Sequence, residues 1–135
     1  MANFYIAKDN SDIILQELER KVEAALEACG QQAVSHAKDN ITEAGRVDTG
    51  TLRNSVNHEV DNNTCYVGTN TEYAIYNEMG TGVYIGGGRQ TPWAFQGADG
   101  KWHRTRGMKP IHFLKNAIAN NVDEYKRIIM QQLKS

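Results

Sequence analysis

Four histidines, two cysteines, a serine close to a histidine, and basic residues set among tryptophans are the parts of this 135-residue chain that could do chemistry. His36, His58, His103 and His112 fit neither the H-E-x-x-H nor the C-x-x-C spacing that turns ligands onto one face, so they read as surface or interface residues and not as a zinc set. Ser55, His58 and Asp48 supply the residue types of a hydrolytic triad, but no G-x-S-x-G turn forces the serine into exposure. Gly80-Thr81-Gly82 and the later Gly86-Gly87-Gly88 offer backbone N–H groups to a phosphate, yet the spacing matches neither the P-loop nor the dinucleotide fingerprint. Glu72 and Glu78 stand six positions apart. On a helix that puts them on different faces, so they read as solvated or interface charge and not as a general acid–base pair. No catalytic, cofactor-binding or metal-binding residue is assigned, and a small hydrolase is the lesser alternative.

The stretch from 89 to 109 carries more. Arg89, Lys101, Arg104, Arg106 and Lys109 alternate with Trp93, Phe95 and Trp102, the combination of charge and stacking surface that single-stranded nucleic acid uses. A single-strand binding module is therefore the main alternative function. The sequence pI near 6.4 is low for such a domain, and the same residue types dominate protein interfaces. We assign Arg89, Trp93, Phe95, Trp102, Arg104, Arg106 and Lys109 to an interface; the competing reading is that the aromatics face the core from alternate strand positions.

The net charge of -1 conceals an uneven distribution. Residues 1–80 carry 6 basic and 13 acidic side chains, residues 81–110 carry 5 and 1, and residues 111–135 carry 4 and 2. An acidic first part and a basic later part suit a partner of opposite sign, including another copy of the chain. Cys29 lies on the apolar side of a helical pattern and Cys65 in a strand-like run, so both read as free thiols of a reducing cytosol. No apolar run approaches the ~20 residues that span a bilayer, and residues 1–9 have no long apolar core and no cleavage-site pattern, which reads as a soluble, unexported protein.

The elements that must position these residues follow from periodicity. After Phe4, Tyr5 and Ile6, Asn10 or Ser11 can cap a long helix whose apolar stripe is Ile14, Leu18, Val22, Ala25, Cys29, Ala33, Ala37 and Ile41, with Gly30 marking a kink or a close helix contact. Asp48 or Thr49 can cap a short turn that carries Leu52 inward. Ser55–Val60 and Thr64–Thr69 alternate around Asp61-Asn62-Asn63 and predict a hairpin. Residues 72–79 fit a strand or a short helix, with the helix preferred, ended by Gly80 and Gly82, with Tyr73 and Tyr76 packed on the sheet. Residues 91–96 and 101–105 flank Gly97-Ala98-Asp99-Gly100 as a second hairpin. Pro110 suits the first turn of a last helix striped by Leu114, Ile118, Val122, Tyr125, Ile129 and Leu133. The plan is α+β: a small, mainly antiparallel sheet packed on one face by a long N-terminal and a C-terminal helix, one domain over residues 1–135 with an exposed loop and hairpin at 83–108.

Three segments stop being generic. Val47-Asp48-Thr49-Gly50-Thr51-Leu52-Arg53-Asn54-Ser55, then Tyr66-Val67-Gly68-Thr69 with Tyr73-Ala74-Ile75-Tyr76-Asn77-Glu78-Met79-Gly80-Thr81-Gly82, then Pro110-Ile111-His112-Phe113-Leu114-Lys115-Asn116-Ala117 occur in order. Together they resemble the head-tail connector and tail-completion proteins, the neck or minor tail components, of long-tailed bacteriophages and prophages. Asn116 departs from a proline often found in that family. The resemblance implies a structural virion protein at the head-tail junction, assembled in the host cytoplasm. It implies a ring of identical copies with hexamer-type symmetry, contacts to head-closure and tail-terminator or tail-tube proteins, DNA only as a passenger through the lumen, no membrane and no cofactor. It gives Asp48, Thr49, Gly50, Leu52, Tyr73, Tyr76, Glu78, Gly80, Gly82, Pro110, Phe113 and Leu114 structural roles.

Overall fold

The spacing of small and apolar residues from Ala25 onward lets one helix serve as the spine on which the other elements are laid. The computed structural model of the chain describes residues 11–45, 50–85 and 91–135. Helix α1 runs unbroken over Ser11–Glu43, followed by α2 (Thr51–Ser55), strands β1 (Asn57–Asp61) and β2 (Thr64–Gly68), and α3 (Ala74–Met79). A 3-10 turn at Gly82–Tyr84, strands β3 (Trp93–Gln96) and β4 (Trp102–Thr105), and helices α4 (Phe113–Ala119) and α5 (Val122–Lys134) complete the α+β order. The first hairpin and the α4–α5 pair both lie against α1.

The hydrophobic stripe of α1 is buried only in part. Ala25, Cys29, Ala33, Ala37 and Ile41 are buried, whereas Ile14 is 64% and Leu18 49% exposed. The core closes around the C-terminal end of the helix, where Ala37 and Ile41 meet Leu52, Val56, Ala74, Phe113 and Ala117. Helix α1 runs unbroken through Gly30, and the close contact there is with the first hairpin and not with another helix: a Cβ would lie 2.4 Å from His58 Cδ2 and 2.9 Å from Cys65 Sγ.

Two separate two-stranded antiparallel ribbons stand where one sheet was expected. In the first, Asn62 and Asn63 both take positive φ (48° and 58°), the two-residue turn that matches strand twist, and Asp61 pairs with Thr64. His58, Cys65 and Val67 face α1, while Glu59, Thr64 and Tyr66 face outward. In the second, Trp93 pairs with Thr105 and Gln96 with Trp102. Its base is held by the chain beside it, since Val83 N–H donates to Arg106 O and Thr81 N–H to Met108 O.

The single C-terminal helix expected from periodicity is two. Pro110 precedes α4 by three residues, and a break at Asn120-Asn121 separates α4 from α5. Asn121 N–H donates to Ile118 O in place of Ala117 O. The Ala117 carbonyl is satisfied instead by Asn121 Nδ2 and the Tyr125 hydroxyl. Burial, then the neighbouring Glu124, push the Tyr125 phenol up to about 12, so it remains a donor throughout the working pH range. The prediction that Tyr73 and Tyr76 pack on the sheet is corrected here: α3 buries Ala74 and Asn77, three apart, which turns both tyrosines to solvent.

Candidate docking surface

Each histidine lies beside a carboxylate of its own chain: His36 with Glu124 (2.8 Å), His58 with Glu27 (2.6 Å), His103 with Asp99 (3.1 Å) and His112 with Glu78 (3.8 Å). Among the described residues no three His, Cys, Asp or Glu side chains come together as a metal site. Ser55 Oγ donates to Leu52 O and contacts Thr69, while His58 turns to Glu27 on α1, so the two do not pair; Asp48 lies outside the described residues. Cys29 and Cys65 are free thiols, and burial pushes both above the ordinary thiol value, which keeps them protonated and poorly nucleophilic. Around Gly80-Thr81-Gly82, the N–H groups of Gly80, Thr81 and Val83 donate to the Tyr76, Met108 and Arg106 carbonyls and so are not offered to a phosphate.

Glu78 is not simply a solvated charge but is engaged within its own chain. Its carboxylate accepts from Leu114 N–H (2.8 Å) and Lys115 N–H (3.1 Å), the second and third positions of α4. His112 enters that helix with φ 48° and offers no side-chain cap, so the carboxylate from α3 satisfies the orphan donors and meets the positive end of the helix dipole. This contact joins the second and third motifs. Glu78→Gln should therefore cost about 1–2 kcal/mol in urea denaturation; an unchanged midpoint would mean that solvent can replace the cap.

The other motif residues have backbone reasons. Gly50 (φ 73°) leads into α2, which buries Leu52, and the Asp48 and Thr49 caps lie outside the described residues. Gly80 (φ 82°) and Gly82 (φ 62°) allow the backbone reversal, and a Cβ on Gly82 would sit 2.4 Å from Arg106 O and 2.7 Å from the Trp93 ring. Phe113 is fully buried, Leu114 packs against the same core, and Pro110 closes over Gly80.

The basic and aromatic residues gather on the second hairpin, but strand pairing divides them. Trp93 and Phe95 share one face with His103 and Thr105; Ala94, Gln96, Trp102 and Arg104 share the other. Trp93 is half-buried over Gly82, and Phe95, 45% exposed, stacks on His103 at 5.5 Å. Asp99 fastens the turn by accepting from Lys101 N–H and pairing with His103, and these contacts hold its carboxyl below the usual range, the backbone bond contributing most. The opposite face presents Trp102, 71% exposed, and Arg104. Neither Arg104 nor Arg106 has an ion-pair partner among the described residues; Lys109 is exposed, and Arg89 and Gly86-Gly87-Gly88 lie outside them. Sequence reading had not shown that Trp102 stands apart from Trp93, because that depends on register.

Exposed apolar residues also cover α3 and the turn after it, at Tyr73, Ile75, Tyr76, Met79 and Tyr84. Among the described residues no helix is long and apolar enough to cross a membrane.

Neither the curated proteins nor the solved structures contain a significant match to the chain. A protein-family model, described as "Bacteriophage HK97-gp10, putative tail-component", matches residues 8–80, which span α1, α2, the first hairpin and α3. That match takes in the Val47–Ser55 and Tyr73–Gly80 motifs and covers more than half of the sequence. The chain belongs to the HK97-gp10-like family of bacteriophage tail components.

Proposed function

We propose that the chain acts by assembly: copies join into a ring at the head-tail junction of a long-tailed bacteriophage and dock there against head-closure and tail-terminator or tail-tube proteins. Membership of a tail-component family makes it a structural protein of the virion. The observation that carries the finer reading is the second hairpin, a ribbon tied to the domain at its base and presenting Trp102, Arg104 and Arg106 to solvent. Large aromatic and arginine side chains exposed in this way suit a surface that becomes buried on association. DNA passes through the lumen of such a ring as a passenger.

The test is a deletion. Shortening residues 83–108 to a tight turn should leave a soluble, folded protein, because the core lies among α1, α2, α3 and α4. Particles made with that chain should then accumulate as unjoined heads and tails. Joined, infectious particles would overturn the docking role of the hairpin, and an unfolded product would show that the hairpin is part of the core.

A further inference from the structure

The first part of α1 is built as if something lay on it. From Ser11 to Ala24 the helix buries no residue, although Ile13, Ile14, Leu15 and Leu18 fall within it. That is 14 of its 33 residues, and a helix segment of this length is marginal on its own. It is also acidic: Asp12, Glu17, Glu19 and Glu23 stand against Arg20 and Lys21, and Arg20 is already paired with Glu17. The second hairpin has the complementary character, with an exposed indole, two arginines without an ion-pair partner among the described residues, and a neighbouring lysine.

Within one copy these two surfaces are tied to different ends of α1. The hairpin springs from residues 81–83 and 106–108, next to α3, and α3 is joined through Glu78 to α4. The start of α4 is fixed at the far end of α1, where Asn40 Nδ2 donates to Phe113 O. Leu18 lies 22 residues before Asn40, about 33 Å along the helix. Complementary patches at opposite ends of one molecule produce a head-to-tail contact, the kind from which rings larger than a dimer are made.

We infer that the outer face of the second hairpin, through Trp102 and Arg104, docks on the first turns of α1 in the next copy of the chain, the indole over Ile14 and Leu18 and the guanidinium toward Glu19 and Glu23. The spacing fits. Trp102 and Arg104 are two strand positions apart, about 6.6 Å, and Leu15, Glu19 and Glu23 follow at four-residue steps beside Ile14 and Leu18, about 6 Å per step. An apolar row flanked by an acidic row thus meets a tryptophan flanked by an arginine. The inference rests on the ring-assembly reading above and names the contact that closes the ring.

Two measurements on assembled particles test it. A photo-crosslinking amino acid at position 102 keeps all charges and should join the chain to residues 11–24 of a second copy, as mapped by mass spectrometry. A crosslink to another virion protein or to DNA, with none to α1, would overturn the inference while leaving the assembly reading in place; absence of the chain from particles would sink that reading itself. In the second measurement, Arg104→Glu with Arg106→Glu should weaken association about a hundredfold through like-charge contact, and adding Glu19→Arg and Glu23→Arg in the same chain should restore it. Undiminished assembly of the first variant, or no recovery in the folded combined variant, would refute the pairing.

Discussion

Phe113→Ala should cost about 3–5 kcal/mol, the upper range for loss of a buried aromatic ring. Phe113 and Ile41 are the largest side chains wholly hidden from solvent. Around the phenyl ring the core is made of Ala37, Ala74 and Ala117 as much as of Ile41, Leu52 and Val56, and alanines have no further reach with which to fill a void. The backbone cannot close the gap either, because the next two N–H groups are held by Glu78 and the Phe113 carbonyl by Asn40. A persistent cavity follows, and against a total stability of about 5–15 kcal/mol for a small domain its cost is large. Urea denaturation should show the midpoint displaced with an unchanged slope. Ile118, 48% exposed five residues further on, is the control, since its replacement by alanine should alter stability by no more than about 0.5 kcal/mol. A loss below about 1 kcal/mol at Phe113 would mean that α4 can shift to refill the site.

The sequence made the elements legible where one physical rule acted alone. The later part of the predicted stripe, Ala25 to Ile41, and the turn predicted at Asp61-Asn62-Asn63 are local patterns and are present, the turn centred on Asn62-Asn63, whereas Ile14 and Leu18 at the start of the stripe face solvent. The break at Asn120-Asn121 was hidden because the stripe continues in register across it; what interrupts the helix is the capture of the Ala117 carbonyl by two side chains. The capping role of Glu78, read from its spacing as solvated or interface charge, was not visible because its partners, two backbone N–H groups of α4, lie 36 and 37 residues away. Tyr73 and Tyr76 were misplaced for a related reason, since the inward face of a six-residue helix is chosen by what it meets and not by its own pattern. The candidate surface was legible as composition only. Its division into a Trp93 face and a Trp102 face depends on the pairing register, and the reach between its basic and acidic patches depends on where the hairpin joins the domain.

Gly30 is where propensity and packing give opposite signs, so a substitution there decides between them. Alanine in mid-helix should stabilise by about 1 kcal/mol if propensity alone acts. The structure predicts the reverse: the added methyl would lie 2.4 Å from Cδ2 and 2.7 Å from Cγ of His58 and 2.9 Å from Cys65 Sγ. A Cγ cannot swing away as a side-chain tip can, and the ring is further restrained by its contact with Glu27 at 2.6 Å. The hairpin must therefore lift from α1. Overpacking of this kind costs about 1–3 kcal/mol, so Gly30→Ala should destabilise on balance. Gly30→Val, with two more methyls and a lower helix propensity, should lose more than about 3 kcal/mol. A double-mutant cycle isolates the cause. With His58→Ala in place most of the obstruction is gone, and Gly30→Ala should then become neutral or stabilising. If alanine at position 30 stabilises the otherwise unaltered chain, β1 does not approach α1 as closely as described; if it destabilises equally with and without the imidazole, the obstruction comes from Cys65 and not from His58.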